Sequence, residues 1–371
     1  MSLRFHAPYM EWAKQRPSPR YDLAISNILG CSLEDLPGAR EAVAFSGRND
    51  NGYAPLVDAI AARYDVAPEQ VTTAQGTSGA NFLVCAALLE PGDEVLVERP
   101  GYDPLLGTPR LLGAQTIRFD RVFEDGFRLD PERVRRAITP RTRIVIVNSP
   151  NNPTGRIYPP ATLERLAAIL DEASERNGRR IFLISDEAYN RIVYDGARFR
   201  SPVEFYPWSF LAYSYGKTLL APGERIGYLA IPPTMPGREA FRDAIETAQI
   251  AGGWLFPNAS MQYALPRLET LSFDTELFQR KRDVLVEALR EIGYRVNVPE
   301  GTFYLFPESP IADDEEFTRA LDREGVLVLP GQMFETPGFF RISLTATIAT
   351  IEAAIPRFAA AYRSVDATAH R

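Results

Sequence analysis

From Val71 onward, short runs rich in β-branched residues alternate with longer amphipathic stretches. Glu94 to Val97, Gln115 to Phe119, Arg143 to Val147, Ile181 to Ser185, Phe210 to Tyr213 and Ile226 to Ile231 read as strands. Several are apolar almost throughout, as strands covered on both faces are. Between them the period changes to 3.6. Pro160 to Asn177 sets Leu163, Leu166, Ala167, Leu170 and Ala173 on one face with Glu and Arg opposite, which predicts an amphipathic helix. A shorter helix is predicted over Ala80 to Leu89. Strands alternating with helices predict an α/β fold, a mostly parallel sheet sandwiched by helices.

Beyond this region the pattern changes. Residues 257–291 read as one or two long helices, and from Arg295 the elements shorten into an α+β style. Gly325 to Leu329 and Phe339 to Leu344 are strand-like, and Ile351 to Tyr362 is a final helix. The expected division is an N-terminal arm with a small-domain segment over 1–45, a large domain over 46–265 and a smaller α+β C-terminal domain over 266–371.

Composition narrows the function. The 371 residues, 45% hydrophobic and 24% charged, are ordinary for a globular protein large enough for two domains. A net charge of -7 argues against a general nucleic-acid binder, which needs clustered excess Lys and Arg. The longest wholly apolar run, Phe82 to Leu89, is far shorter than the roughly 20 residues that span a bilayer. The N-terminal stretch shows no apolar signal core, so a cytoplasmic protein is expected, with no membrane and no nucleic-acid partner. Cys31 and Cys85 suggest no disulfide framework. The only histidines, His6 and His370, lie near the chain ends, which argues against a Ser-His-Asp triad, a Cys-His pair or a multi-histidine metal site. Lysine is confined to Lys14, Lys217 and Lys281, so a lysine set among Ser, Tyr, Gly and Leu calls for an explanation.

In open α/β sheets ligands bind beyond the carboxyl ends of the strands. RIVIVN leads into Ser149-Pro150-Asn151-Asn152-Pro153-Thr154-Gly155, IFLIS into Asp186-Glu187-Ala188-Tyr189, and FLAYS into Ser214-Tyr215-Gly216-Lys217. Each segment alone has a plainer reading. Asn-Pro and Thr-Gly form turns, Asp after a strand caps helices, and a lysine is usually solvated. Together they bring an amide, a carboxylate, a phenol and an amine to one edge.

In this order, with Arg225 eight residues beyond Lys217, the motifs resemble the fold-type I aminotransferases of class I/II, the aspartate aminotransferase-like superfamily; the similarity runs from about Asn49 to Thr345. The resemblance implies a homodimer that binds pyridoxal 5'-phosphate (PLP) in the large domain and moves an amino group between an amino acid and a 2-oxo acid. It implies that Lys217 forms the Schiff base and carries the proton, that Asp186 pairs with the pyridine nitrogen, and that Tyr189 and Asn152 meet the ring oxygen. Gly76, Thr77 and Ser78, with Ser214 and Arg225, match the phosphate site, and Tyr102 matches the aromatic that stacks on the ring. Arg341 matches the clamp for the substrate carboxylate, with Asn152 beside it and Asn27 where relatives often carry Gly-x-Pro. Many relatives have a tyrosine shortly before the glycine corresponding to Gly52; here Arg48 and Tyr53 are the candidates for its role. A PLP lyase, decarboxylase or cyclase of the same fold would use the same lysine, aspartate and arginine.

Overall fold

The structure, a computed structural model, describes residues 12, 19–25, 38–44, 52–218, 223, 225–254, 258–260, 262–264 and 274–369. After β1 (Tyr21–Asp22) and α1 (Ala54–Tyr64) come β2 (Val71–Ala74), α2 (Gly76–Leu88), β3 (Glu94–Arg99), α3 (Pro104–Leu111), β4 (Gln115–Asp120) and α4 (Pro131–Ala137). Then follow β5 (Thr142–Asn148), α5 (Pro160–Asn177), β6 (Phe182–Asp186), β7 (Ser209–Ser214), β8 (Gly227–Ala230) and α6 (Arg238–Ala251). Seven of these strands form one sheet in the order β2-β8-β7-β6-β5-β3-β4. All neighbours are parallel except those of β8, which runs antiparallel to both β2 and β7. The mostly parallel sheet expected from the alternation is present.

The sheet interior shows why these runs become strands. Val95 to Val97, Ile144 to Val147 and Phe182 to Ile184 are all buried, as residues in a sheet covered on both faces must be. On α5, Leu163, Leu166, Ala167, Leu170 and Ala173 are buried, and Gly178 closes the helix in the left-handed conformation at φ 62°.

The chain then forms α7 (Thr275–Ile292), β9 (Tyr304–Leu305), α8 (Asp314–Arg323), β10 (Val326–Leu327), β11 (Leu329–Pro330), β12 (Phe340–Ser343) and α9 (Ile348–Ala369). The last of these helices extends the expected one at both ends. The strand-like stretch near 325–329 is divided: β10 pairs with β1, whereas β11 pairs with β12, which pairs in turn with β9. The long helical reading of 257–291 is corrected over its first part. Residues 258–260 and 262–264 are not helical, because the Asn258 carboxamide accepts from the Ser260 amide at 3.1 Å and hydroxyl at 2.8 Å, an alternative to helix bonding. The helix starts at Thr275 behind Asp274, whose carboxylate caps the Leu277 amide at 2.9 Å.

One hydrophobic core packs Phe317, Phe340 and Phe358 of this C-terminal part against Leu23 near the N-terminus and Tyr189 and Ile192 after β6. That packing carries β12 to the sheet edge where the motifs lie. Among the described residues no helix is long and apolar enough to cross a membrane.

Candidate active site

Because β2, β3, β5, β6 and β7 run in one direction and β8 in the other, the ends of the first five and the start of β8 share one edge. The register places Asn148 beside Asp186, Asp186 beside Ala212, and Gly227 between Ser214 and Ala74. The candidate residues after each strand are thereby neighbours in space. The chain turns from β3 and β4 on one side to β6 and β7 on the other between β3 and β5, a switch point where α/β sheets open a crevice.

Asp186 is buried at the end of β6. Asn81 on α2 donates to its Oδ2 at 2.8 Å, Asn148 to its Oδ1 at 3.2 Å, and the Ala188 amide to Oδ1 at 3.4 Å. Burial pushes its carboxyl up to about 6; the Asn81 and Ala188 bonds and the charge of Lys217 oppose that shift, and Glu98 adds to it. Folding therefore favours the protonated acid relative to the unfolded chain. This contribution to stability is complete below about pH 4 and is lost as the pH rises through about 6. Asp186→Asn is expected to stabilise the cofactor-free protein by about 1–3 kcal/mol at pH 7.5 and by much less at pH 4. Thermal unfolding at the two pH values checks this; equal effects at both would show that ionisation is not the cause.

Lys217 ends a single 3-10 turn after β7, half-buried, with the Ser214 hydroxyl accepting from the Gly216 amide at 3.2 Å. The Tyr213 and Thr218 hydroxyls lie 2.6 Å apart and pin the turn from its far side. Tyr213, Tyr215 and Tyr228 pack together behind it, with the Arg191 guanidinium 4.6 Å from the Tyr213 ring centre.

Gly76, Thr77 and Ser78 open α2, where the first amides have no intrahelical acceptor and Gln75 supplies no side-chain cap. Gly76 has φ +68°, and a Cβ there would lie 2.9 Å from Arg225 Nη2 and 3.3 Å from Ser214 Oγ. Guanidinium, hydroxyl and helix N-terminal amides thus converge on a small space, a donor set that suits a phosphate dianion. Gly76→Ala is expected to fill it. The variant should bind PLP about tenfold more weakly in an equilibrium titration of the cofactor-free protein, the loss of one hydrogen bond to a charged group.

Asn152 and Arg341 meet across the structure. Arg341, wholly buried on β12, donates from Nη1 to Asn152 Oδ1 at 3.0 Å and from Nη2 to the Ala24 carbonyl at 3.1 Å, above the Tyr304 ring at 4.1 Å. Asn152 is positioned in turn by its amide, which donates to Asn148 Oδ1 at 2.7 Å. The Tyr189 hydroxyl lies 3.2 Å from that of Tyr304. Tyr102 is half-buried just after β3 and packs against two of the hydrophobic cores. Asn27 and Arg48 lie outside the described residues. The Tyr53 amide donates to Gln262 Oε1 at 2.9 Å, and its ring centre lies 4.4 Å from that of Tyr263.

Sequence reasoning missed the support beneath the Asn-Asn-Pro-Thr-Gly loop. Glu98, wholly buried, accepts from the Asn148 amide at 2.7 Å, Asn151 Nδ2 at 3.0 Å, Arg121 Nη1 at 2.9 Å and the Tyr158 hydroxyl at 2.8 Å. Breaking a buried pair of this kind costs about 3–5 kcal/mol, because one charge is left uncompensated. A glutamate inside the apolar run Glu94 to Val97 and its continuation is the signal that could have revealed it. Asn81, a lone amide followed by an apolar run on α2, is a second signal of the same kind.

Residues 22–358 match the aminotransferase class I and II family. The chain is 35% identical over 339 residues to the aspartate/prephenate aminotransferase of Thermus thermophilus, covering 87% of this chain and 80% of that protein. It is 30% identical over 348 residues to the aspartate aminotransferase of Rhizobium meliloti, covering 89% and 80%. A solved structure of Thermus thermophilus aspartate aminotransferase superposes with a TM-score of 0.83 at 30% identity, over 96% of this chain and 94% of that one. An aminotransferase from Eubacterium rectale superposes with a TM-score of 0.85 at 26% identity, over 92% and 89%. With a fold-type I sheet, a phosphate cradle and a buried carboxylate on one edge, the chain belongs to the class I and II aminotransferases, PLP-dependent enzymes that move an amino group between an amino acid and a 2-oxo acid.

Proposed function

We propose that the enzyme carries its cofactor on Lys217 and its substrate carboxylate on Arg341, and that it transaminates rather than eliminates or decarboxylates. The observation that carries the residue roles is the shared edge, where Asp186 and Ser214 end neighbouring strands, Lys217 follows β7, Arg225 precedes β8 and Gly76 follows β2; the relatives named aminotransferases support transamination.

Bound PLP supplies an electron sink that acidifies the bond between the substrate α-carbon and its hydrogen. The protein supplies the rest. The amides of Gly76, Thr77 and Ser78, the Ser214 hydroxyl and Arg225 hold the phosphate. Asp186 would pair with the ring nitrogen, where a positive charge would favour the ionised carboxylate that burial opposes. Tyr189 and Asn152 donate to the ring oxygen, and Tyr102 covers the ring and excludes water. Arg341 orients the incoming amino acid through a planar two-bond fork. The Lys217 amine would form the cofactor's covalent link and would serve as the base that takes and returns the substrate α-proton.

The relatives' names make aspartate and prephenate the first compounds to offer as amino donor and acceptor. The same reading carries a homodimer, a cytoplasmic setting and the domain division at 45/46 and 265/266.

The deciding experiment mixes the holoenzyme with single amino acids and no acceptor. Transamination releases one oxo acid per active site and then stops until a second oxo acid is added. Continuous turnover, giving an oxo acid with ammonia or an amine with carbon dioxide, would establish the lyase or decarboxylase reading instead.

A further inference from the structure

We infer that Tyr304 is a positioning residue that ties the carboxylate clamp to the phenol at the cofactor site, an inference that rests on the roles proposed for Arg341 and Tyr189. β9 and β12 pair antiparallel with Tyr304 opposite Ser343 and Leu305 opposite Ile342. Residues two apart on a strand share a face, so Arg341 and Ser343 point the same way and Arg341 lies diagonal to Tyr304. The guanidinium carbon of Arg341 sits 4.1 Å from the Tyr304 ring centre, a close cation–π contact with both side chains wholly buried. At the other end of the same ring, the hydroxyl is 3.2 Å from that of Tyr189.

Little freedom is left to this ring. Phe303 lies edge-on at 4.8 Å from it, Tyr189 packs at 5.7 Å and 75°, and the Tyr304 amide is held by Thr302 Oγ1 at 3.2 Å. A rigid aromatic body with one end under the clamp and the other on the phenol transmits displacement between them. Binding at either site then depends on the other by the same factor. The face and the hydroxyl do different work: the face steadies the guanidinium, and the hydroxyl aims Tyr189.

The test separates these two parts in the holoenzyme with Tyr304→Phe, which keeps the ring and loses the hydroxyl, and Tyr304→Met, which loses both. Maleate, a carboxylate with no amine to react, probes the clamp by calorimetry. The cofactor's dissociation constant and the pH midpoint of its visible absorbance probe the phenol. Tyr304→Phe is expected to keep maleate affinity within about twofold, to weaken cofactor retention about fivefold, the equivalent of one hydrogen bond, and to move the midpoint. Tyr304→Met is expected to lose about tenfold in maleate affinity as well. Wild-type cofactor readouts in Tyr304→Phe would overturn the proposal. So would wild-type maleate affinity in Tyr304→Met when Arg341→Lys has lost it. Unchanged maleate affinity in Arg341→Lys would overturn the clamp assignment itself. Should Tyr304→Met not fold, Tyr304→Phe decides alone, because it preserves the packing.

Discussion

Lys217→Ala is expected to lower the rate of amino transfer by about 10⁴-fold or more while leaving a folded protein that still binds PLP. The size follows from two functions residing in one amine. In the proposed reading it is both the covalent attachment point for the cofactor and the group that moves the α-proton; acid–base transfer alone contributes up to about 10⁴. No other described lysine can take over, since Lys281 lies on α7 with its ammonium donating to the Leu344 carbonyl at 3.2 Å. Stability should change by no more than about 1 kcal/mol, because Lys217 is only half-buried and lies outside the hydrophobic cores. The phosphate cradle is intact in this variant, so PLP should be retained without the visible absorbance of the lysine-bound cofactor. A half-reaction with amino acid in excess reads the rate. Wild-type absorbance and transfer in Lys217→Ala would sink the assignment.

Arg341→Leu carries the second large effect, an expected loss of about 10²–10³-fold in kcat/KM that appears mainly in KM. The guanidinium is wholly buried, so it meets a carboxylate without competition from water, and truncating one member of a buried charge pair costs about 2–5 kcal/mol. The variant also strands Asn152 Oδ1 and the Ala24 carbonyl, which Arg341 now satisfies. Arg341→Lys restores the charge without the planar fork and should recover only part of the loss. Cofactor affinity is the control: the cradle at Gly76, Ser214 and Arg225 is built from other elements and should hold PLP within a few-fold of wild type. Equal losses in substrate and cofactor binding would point to collapse of the site, and unchanged kcat/KM would remove Arg341 from the clamp.

Much of the site was legible along the chain because its chemistry sits directly after strands. Asp186, Ser214 and Asn148 each end a run whose apolar pattern announces a buried strand, so their placement on one edge needs only a parallel sheet. The support around them was not legible. Glu98 and Arg121 are 23 positions apart, and although a glutamate at the end of an apolar run hints at burial, nothing local names its partner. They are a wholly buried pair only because β3 and β4 are neighbours and the loops beyond them turn inward. Asn258 shows the opposite failure: apolar periodicity suggested a helix where a side chain captures two local donors.

The sequence by itself determined the layered α/β architecture and the order of motifs along the edge, because hydrophobic period and turn chemistry are local properties written within a few residues. Only the tertiary structure decided how these parts work together. Asn152 meets Arg341 across 189 positions, and Tyr189 meets Tyr304 across 115. Such contacts depend on the packing of β12 and β9 against the loops after β5 and β6, and no local pattern encodes the distance between two groups that the chain brings together only when its core closes.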